Sequence, residues 1–387
     1  MAGALTRILG PRNLDLVEDV VQEALLKALQ VWSFRGIPEN PTAWLIETAK
    51  NQAFDRLRRS GKWQGSIPES LEAWGPEAQT SDRDEDLTMM FLCCHPALSR
   101  DSRIALTLKA VCGFSTAEIG RAFLADERAI AQRLVRAKRQ IREEGIELET
   151  PAPRHLGERL DAVLDVVYLI FNEGYAAHDA ETLVREDLCG EAVRLARELA
   201  TRFETPKCCA LAALTLFHAA RLAARTDQAG DLLRLDEQTH SLWNWTMIAE
   251  GFRWLDRSMA GPELSEYHLQ AGIAAAHCAA AGAETDWLHI LDLYTQLYER
   301  NPSPVIGLNR AVALAQVHGP RVGLDELRIL ECDPGLKSYY LLPAVQGRLH
   351  EDLGQPGEAA RCYRKALDLV SNGAERRFLE RRLKSLV

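Results

Sequence analysis

The stretch DSRIALTLKAVCGFSTAEIGRAFLADERAIAQRLVRAKRQIREE, residues 101–144, decides the fold prediction for this chain. Ser115 precedes Glu118 by three residues, which is a capping-box pattern and predicts the start of a short helix that runs through Phe123. The helical period then breaks at 124–126. The stretch therefore predicts a helix and a tight turn, followed by a second helix.

The second helix is expected over 127–142, and it is strongly basic. Its apolar residues recur at spacings of three and four and predict a buried stripe, consisting of Ile130, Leu134, Ala137 and Ile141. Its basic residues are Arg128, Arg133, Arg136, Lys138, Arg139 and Arg142. A short helix, a turn and a longer basic helix is the arrangement that places a recognition helix in the DNA major groove. The same pattern also fits a solvated basic helix within a helical bundle.

Composition favours a globular protein with more than one domain. The chain has 387 residues, of which 47% are hydrophobic and 26% charged, values that are ordinary for a folded soluble protein. We find no apolar run of 18 residues and no signal peptide, so we expect a cytoplasmic protein without a membrane partner. The 9 cysteines are scattered and odd in number, which fits free thiols in a reducing compartment.

Helical periodicity dominates the first 150 residues, and the predicted fold class is all-α. One helix is expected over 14–29, followed by a loop over 32–40, and Pro41 occupies a favoured position at the start of a helix over 41–60. Residues 66–86 are rich in acidic side chains and contain two prolines, which predicts a poorly ordered linker. The proline-rich segment 150–153 marks the next boundary.

The larger part of the chain, 154–387, is predicted to be a series of helices with a repeat signature near its end. Small and aromatic residues there fall at the spacing of the 34-residue tetratricopeptide (TPR) pattern, namely Gly347, Gly354, Ala359, Tyr363 and Ala366. The segment 311–327 resembles a weaker copy. A generic helical hairpin can produce the same spacing.

Catalytic motifs are missing from the sequence. It contains no phosphate-binding glycine loop, His-Glu-x-x-His, nucleophile elbow or CxxC pair, so we predict no catalytic residues, no metal and no cofactor. Cys93-Cys94-His95 is expected to be buried structure rather than a metal site, because adjacent residues on a helix diverge by about 100°. The segment FNEGY at 171–175, followed by His178-Asp179, is a helix C-terminal turn or a ligand site. Trp243 and Trp245 are expected in repeat packing rather than base stacking.

Several motifs in sequence order resemble the extracytoplasmic-function (ECF) sigma factors of bacteria. The first group resembles their promoter-melting domain and comprises DLVEDVVQEAL at 15–25, NPTAWL at 40–45, AKN at 49–51 and DRLRR at 55–59. The second group resembles their second DNA-binding domain and comprises STAEIGRAF at 115–123 and AQRLVRAK at 131–138. Three further segments resemble the subgroup with a TPR-like C-terminal extension, namely HPAL at 95–98, YLIFNEGY at 168–175 and LNRAV at 308–312.

The resemblance implies four parts of the chain. Residues 1–62 would form a sigma region 2-like domain, 63–85 an acidic linker, 86–150 a region 4-like helix-turn-helix domain, and 154–387 a TPR-like regulatory extension. The implied function is to bind core RNA polymerase, through its β′ clamp helices and β flap, and to direct it to promoters. A protein regulator would act on the extension.

The resemblance also implies site residues. For polymerase binding they are Glu18, Asp19, Gln22 and Glu23. For the −10 element they are Asn40, Trp44, Asn51, Arg56, Arg58 and Arg59. For the −35 element they are Ser115, Thr116, Arg128, Gln132, Arg133, Arg136, Lys138 and Arg139. Among the last set, Arg128, Gln132 and Arg133 lie early enough on the helix to read bases, whereas Arg136, Lys138 and Arg139 fit phosphate or polymerase contacts.

Two other protein classes fit parts of the pattern. A helix-turn-helix repressor with a helical-repeat sensor domain would bind duplex DNA without polymerase, and a TPR-like scaffold would bind neither. The chain also departs from the resemblance, because only 13 residues precede Leu14 where the family has a longer first helix. Either the start codon is assigned late or the first domain is trimmed, and we expect a trimmed first helix to lose packing partners for the polymerase-binding helix and to weaken promoter opening.

Overall fold

The computed structural model describes residues 1–59, 82–122, 125–149, 151, 153–175, 185–227, 231–280, 284–333, 336–337 and 339–386. Within these residues every regular element is a helix, apart from an isolated bridge between Thr226 and Leu232. The all-α prediction is confirmed. Two compact units divide the chain, Met1–Leu169 and Ile170–Val387. Most of the linker predicted at 63–85 lies outside the described residues; its last four residues, from Asp82, already belong to a helix.

Besides a short 3-10 helix at Pro11–Asn13, the described residues of the first unit contain seven α-helices and the start of an eighth. They are α1 Ala2–Leu9, α2 Leu14–Arg35, α3 Pro41–Arg59, α4 Asp82–Cys93, α5 Arg100–Ala110, α6 Thr116–Ala122, α7 Glu127–Glu143 and α8 Pro153–Tyr175. The boundary between the units falls within α8. The predicted starts at Leu14 and Pro41 are confirmed.

The short N-terminal helix α1 packs into a common core with α2 and α3. Leu5 of α1, Val17 and Val20 of α2, and Ala53 and Phe54 of α3 are buried in one cluster. The first helix has only 8 residues, yet it places Leu5 fully inside that cluster. The described helix therefore supplies packing that we expected the first domain to lack.

The loop predicted over 32–40 begins too early. Helix α2 continues to Arg35 and ends at Gly36, whose φ of 78° is a conformation that side chains other than glycine rarely adopt. The Gly36 N–H donates to the carbonyl of Trp32, so the glycine closes the last turn as helix-ending glycines commonly do. Gly36, and not Trp32, therefore marks the end of this helix.

The helix-turn-helix prediction is confirmed. Helices α6 and α7 are consecutive, and Asp126 caps α7 by accepting a hydrogen bond from the Arg128 N–H at 2.7 Å. Its predicted buried stripe is fully inside the protein, at Ile130, Leu134, Ala137 and Ile141. The Phe123 end of α6 lies outside the described residues.

The second unit is a succession of helices in which sequence neighbours pack against each other. They are α9 Glu186–Phe203, α10 Pro206–Ala219, α11 Trp245–Ser258, α12 Glu266–Ala279, α13 Trp287–Arg300, α14 Pro304–His318, α15 Pro320–Leu330, α16 Leu341–Asp352, α17 Pro356–Leu369 and α18 Gly373–Lys384. Most of the dense contacts join helices adjacent in this order, such as α16 with α17 and α14 with α15, and α10 also packs against α12. This is the arrangement expected of a TPR-like extension.

Helix α10 lies in the most apolar part of this unit. The segment Pro206–Ala224 is long and apolar enough to cross a membrane, but 72% of it is buried inside the protein. Its side chains are already covered by neighbouring helices, which makes it a core helix.

The repeat signature near the end of the chain corresponds to a close helix–helix contact. Gly347 on α16 faces Tyr363 on α17, and a Cβ added at Gly347 would lie 2.9 Å from the tyrosine ring. Tyr363 is only 2% exposed, and Ala359 and Ala366 beside it are fully buried. The small residue is therefore required because the ring fills the space where a side chain would be.

Gly347→Ala is expected to destabilise the protein by about 1–3 kcal/mol, because the new methyl group overpacks the contact with Tyr363. Gly357→Ala on α17 is the matched control, since a Cβ there meets nothing within 4 Å. The control should gain up to about 1 kcal/mol from better helix propensity. Thermal unfolding followed by circular dichroism measures both, and equal melting temperatures for the two variants would contradict the close contact.

Candidate nucleic-acid interface

The acidic residues of α2 and the basic end of α3 form a connected cluster. Asp19 on α2 accepts a hydrogen bond from Nη1 of Arg56 at 3.1 Å, and Glu23 pairs with the same guanidinium. The Asp19 side chain stays 65% exposed, so this ion pair is mostly in solvent. Exposed ion pairs contribute about 0–1 kcal/mol. The acidic residues and Arg56 can therefore give up this ion pair and bind a partner instead, at a small cost in free energy.

An exposed apolar patch lies beside these acids on α2. Leu25, Leu26 and Leu29 are 45%, 59% and 72% exposed, next to the exposed amide of Gln22. Our sequence reasoning missed these leucines. They were detectable, because Leu26 and Leu29 fall outside the periodic buried stripe of α2 and Leu25 lies at its edge. We name Asp19, Gln22, Leu25, Leu26 and Leu29 the α2 surface.

A groove of about 480 Å³ runs along α3. Trp44 and Asn51 both line it, so the structure brings together two residues that we predicted for the −10 element. The Trp44 ring also packs on Trp32, with 5.5 Å between the ring centroids. Trp44 thus has a packing role on one side and a groove-facing role on the other.

The other −10 candidates lie at the two ends of α3. Asn40 caps the helix, since its Oδ1 accepts a hydrogen bond from the Ala43 N–H at 3.0 Å. Arg58 and Arg59 are exposed at the other end, where Arg58 lies 3.9 Å from Asp55. The structure thus gives Asn40 a local structural role and leaves the two arginines at the surface.

One face of α7 is exposed and basic. The residues on this face follow a spacing of three and four along the helix, and they are Arg128, Gln132, Val135, Arg136 and Arg139. We name these five residues the α7 stripe. It contains four of the −35 candidates, and it lies opposite the buried stripe that anchors the helix.

Two other −35 candidates on α7 turn toward the protein. Arg133 lies 3.2 Å from Asp101 of α5 and is 29% exposed. Lys138 is only 9% exposed, and its Nζ lies 2.8 Å from Glu18 and 3.0 Å from Asp15, both on α2. Lys138 is therefore an internal cation in this structure, not a surface group. Glu18, a polymerase-binding candidate, is its partner.

Ser115 and Thr116 hold the helix-turn-helix together. The Ser115 Oγ accepts from the Glu118 N–H at 3.2 Å, while the Glu118 carboxylate accepts from the Ser115 N–H at 2.7 Å. This is the predicted capping box. The Thr116 hydroxyl donates to Glu127 at the start of α7, at 2.8 Å. The Ser115 hydroxyl thus caps α6, and the Thr116 hydroxyl links α6 to the start of α7.

The cysteines of the 93–95 motif are packing residues. Cys93 and Cys94 are fully buried. Burial raises the pKa of Cys94 to about 11 and the pKa of Cys93 well above its ordinary value, so both thiols stay protonated and poorly nucleophilic. Among the described residues, no group of three His, Cys, Asp or Glu side chains is placed to hold a metal ion.

Three family models match successive parts of the chain. Sigma-70 region 2 matches residues 3–62, and Sigma-70 region 4 matches residues 88–141. These two matches contain α2 with α3 and the helix-turn-helix, respectively. A family of unknown function, DUF6596, matches residues 159–259.

Two relatives differ in how much of the chain they cover. The uncharacterized protein R00370 of Rhizobium meliloti (strain 1021) is 38% identical over 395 aligned positions, which cover 99% of this chain and 92% of the relative. The ECF RNA polymerase sigma factor SigL of Mycobacterium tuberculosis is 32% identical over 128 residues, which cover 32% of this chain and 72% of SigL. With both sigma-70 regions in order on the described helices, the chain belongs to the extracytoplasmic-function sigma factors, and it carries an additional C-terminal helical extension.

Proposed function

We propose that this protein binds core RNA polymerase through the α2 surface and directs it to promoters through α3 and the α7 stripe. The observation that carries the proposal is the presence, in one chain, of an acidic and apolar surface on the region 2 helix and a basic stripe on the region 4 helix. In this role the protein works in the cytoplasm and catalyses no reaction itself. Its residues 154–387 act as a regulatory extension.

The α2 surface has the composition of a binding site for a protein. Three exposed leucines within five residues are costly to leave in water, and their burial against a partner would be favourable by about 25 cal/mol per Å² of apolar area. Asp19 and Gln22 beside them would give orientation and charge complementarity. We assign this surface to the clamp helices of the polymerase β′ subunit.

The groove of α3 fits a base that has left the duplex. Trp44 offers a ring for stacking and Asn51 offers an amide that can both donate and accept hydrogen bonds. Opening a base pair costs a few kcal/mol, which capture of the extruded base can offset. Arg58 and Arg59 lie at the end of the same helix, where they can contact phosphates.

The α7 stripe fits the DNA major groove. Arg128 and Gln132 are in the first half of the helix, the part that reaches base edges in helix-turn-helix complexes. Arg136 and Arg139 follow on the same face, where phosphate contacts would fix the register of the helix on DNA. Arg133 and Lys138 would join these contacts only after leaving their carboxylate partners.

The two DNA-binding regions must separate on a promoter. The −35 and −10 elements are about 25 base pairs apart, which is about 85 Å along the duplex at about 3.4 Å per base pair. In the first unit, by contrast, Lys138 of region 4 touches Glu18 of region 2 at 2.8 Å. Simultaneous contact with both elements would therefore require this ion pair to break, and binding to polymerase would supply the free energy.

Leu26→Glu is expected to weaken binding to core RNA polymerase by about tenfold or more, because it places a charge in the centre of the proposed interface. The fold should survive, since Leu26 is 59% exposed. Ile329→Glu is the matched control, a substitution of an equally aliphatic residue that is 73% exposed on α15. A pull-down with purified core polymerase measures both, and equal retention of the two variants would remove the α2 surface from the proposal.

Gln132→Ala and Arg136→Ala are expected to have different effects on promoter binding. Loss of a base contact at Gln132 should relax the preference at one −35 position by about 1–3 kcal/mol. Loss of a phosphate contact at Arg136 should weaken binding to all promoter sequences equally. It should also lower the slope of log affinity against log salt concentration by about one. Competition binding of the reconstituted holoenzyme to promoters with a randomised −35 element distinguishes these effects, and Gln296→Ala in the extension is the control. An unchanged −35 preference with Gln132→Ala would contradict its assignment to base reading.

Trp44→Ala is expected to reduce promoter opening by about 1–3 kcal/mol, the contribution of one stacked base. Trp44→Phe keeps an aromatic face and should retain most of the opening. The reactivity of unpaired thymines to permanganate in the holoenzyme–promoter complex measures promoter opening directly. If both variants opened the promoter as well as the parent protein, Trp44 would have only its packing role against Trp32.

A further inference from the structure

One buried arginine of the extension pairs with no carboxylate among the described residues. Arg221, which follows α10, is 5% exposed. Its Nε donates to the carbonyl of Phe217 at 3.3 Å, and its Nη2 lies 3.2 Å from Nδ1 of His218. Among the described residues, no carboxylate pairs with Arg221 and nothing accepts from its Nη1. A buried cation usually has a counter-ion, because its desolvation costs several kcal/mol.

A second unused donor lies beside this guanidinium. The centre of the Arg221 guanidinium is 5.7 Å from the centroid of the Trp243 ring. Trp243 is 4% exposed, and its Nε1 is buried without an acceptor among the described residues. Leaving a buried N–H unpaired costs about 1–3 kcal/mol. An indole N–H without an acceptor and a guanidinium without a carboxylate among the described residues therefore occupy the same small region.

The surrounding side chains keep this region positive. His218 contacts the ring of Tyr175 at 5.0 Å between centroids, and Arg225 lies over the same tyrosine at 3.8 Å. Burial, followed by the charges of Arg221 and Arg225, holds the pKa of His218 well below its ordinary range. Burial and then Arg221 lower the pKa of His277 to about 4. Both histidines are neutral at pH 7, and the nearby charges that act on them are cationic.

Packing alone does not account for Arg221. A cation–π contact with Trp243 contributes about 0.5–2 kcal/mol, which is less than the cost of a buried cation without a counter-ion. Beyond the two contacts to Phe217 and His218, the guanidinium has no acceptor in the part of the chain that the structure describes. An oxyanion would satisfy both the guanidinium and the indole N–H, since carboxylates and phosphates accept hydrogen bonds from several donors at once.

We propose that Arg221 and Trp243 bind the oxyanion of a small molecule, a carboxylate or a phosphate, within the extension. Tyr175, His218, Arg225 and His277 surround the site, and we call these six residues the Arg221 cluster. Tyr175 ends α8, so the FNEGY segment, which forms a helix C-terminal turn, also contributes to the site. His178 and Asp179 of the same motif lie outside the described residues. The burial of both donors restricts access to a small group.

Isothermal titration of the full-length protein with inorganic phosphate, benzoate and neutral benzamide tests the proposal. We expect saturable binding of phosphate or benzoate and none of benzamide, and the anion that binds identifies the source of the oxyanion. Arg221→Met should weaken that binding by about tenfold or more, the effect of losing a charge-assisted contact. Arg253→Met is the matched control, because Arg253 is exposed on α11, and it should bind as the parent does.

Trp243→Phe keeps the test decisive if Arg221→Met fails to fold. It retains an aromatic ring but removes the indole N–H, and it should weaken binding by about fivefold to tenfold. Circular dichroism confirms the fold of each variant. Absence of saturable binding of both anions, or equal affinity in the parent and both cluster variants, would overturn the proposal. Either result would leave the sigma-factor proposal standing, because the surfaces proposed for polymerase and DNA lie on other residues.

Discussion

The first unit depends on one buried ammonium group. Lys138 on α7 is 9% exposed and lies between Asp15 and Glu18 on α2. A lysine in that position would be strongly destabilising alone, since its desolvation costs several kcal/mol, and the two carboxylates supply the compensating charge. The ion pair joins the helix of region 2 to the helix of region 4. It lies on the inward side of α7, together with the buried apolar stripe of that helix and opposite the α7 stripe.

The same interaction links stability to function. The face of α7 that carries Lys138 is directed inward, so Arg128, Gln132 and Arg136 remain on the outside. On α2, Glu18 is used internally while Asp19 and Gln22 stay exposed. A buried pair of this type gives specificity more readily than net stability, and it can be broken when a partner offers equivalent contacts. The proposed separation of the two regions on a promoter follows from this balance.

Much of the fold could be predicted from local sequence patterns. The buried stripe of α7, the capping box of Ser115 and Glu118, and the helix start at Pro41 all depend on residues within a few positions of one another. Lys138 could not be placed in this way, because its partner Asp15 is 123 positions away in the chain. The partners in the Arg133–Asp101 and Arg56–Asp19 pairs are also far apart in the chain, so local patterns could not predict these pairs. Sequence reasoning identified these cations as available for DNA, and only the tertiary structure shows which carboxylates face them. The site residues themselves remain predictions.

Transcription in vitro with purified core RNA polymerase tests the central claim most directly. Full-length protein added to core polymerase and a genomic promoter library should produce transcripts whose start sites share a −35 and a −10 element. Neither component alone should produce them. Absence of such transcripts, together with tight binding of the protein to duplex DNA without polymerase, would contradict the account and favour a repressor.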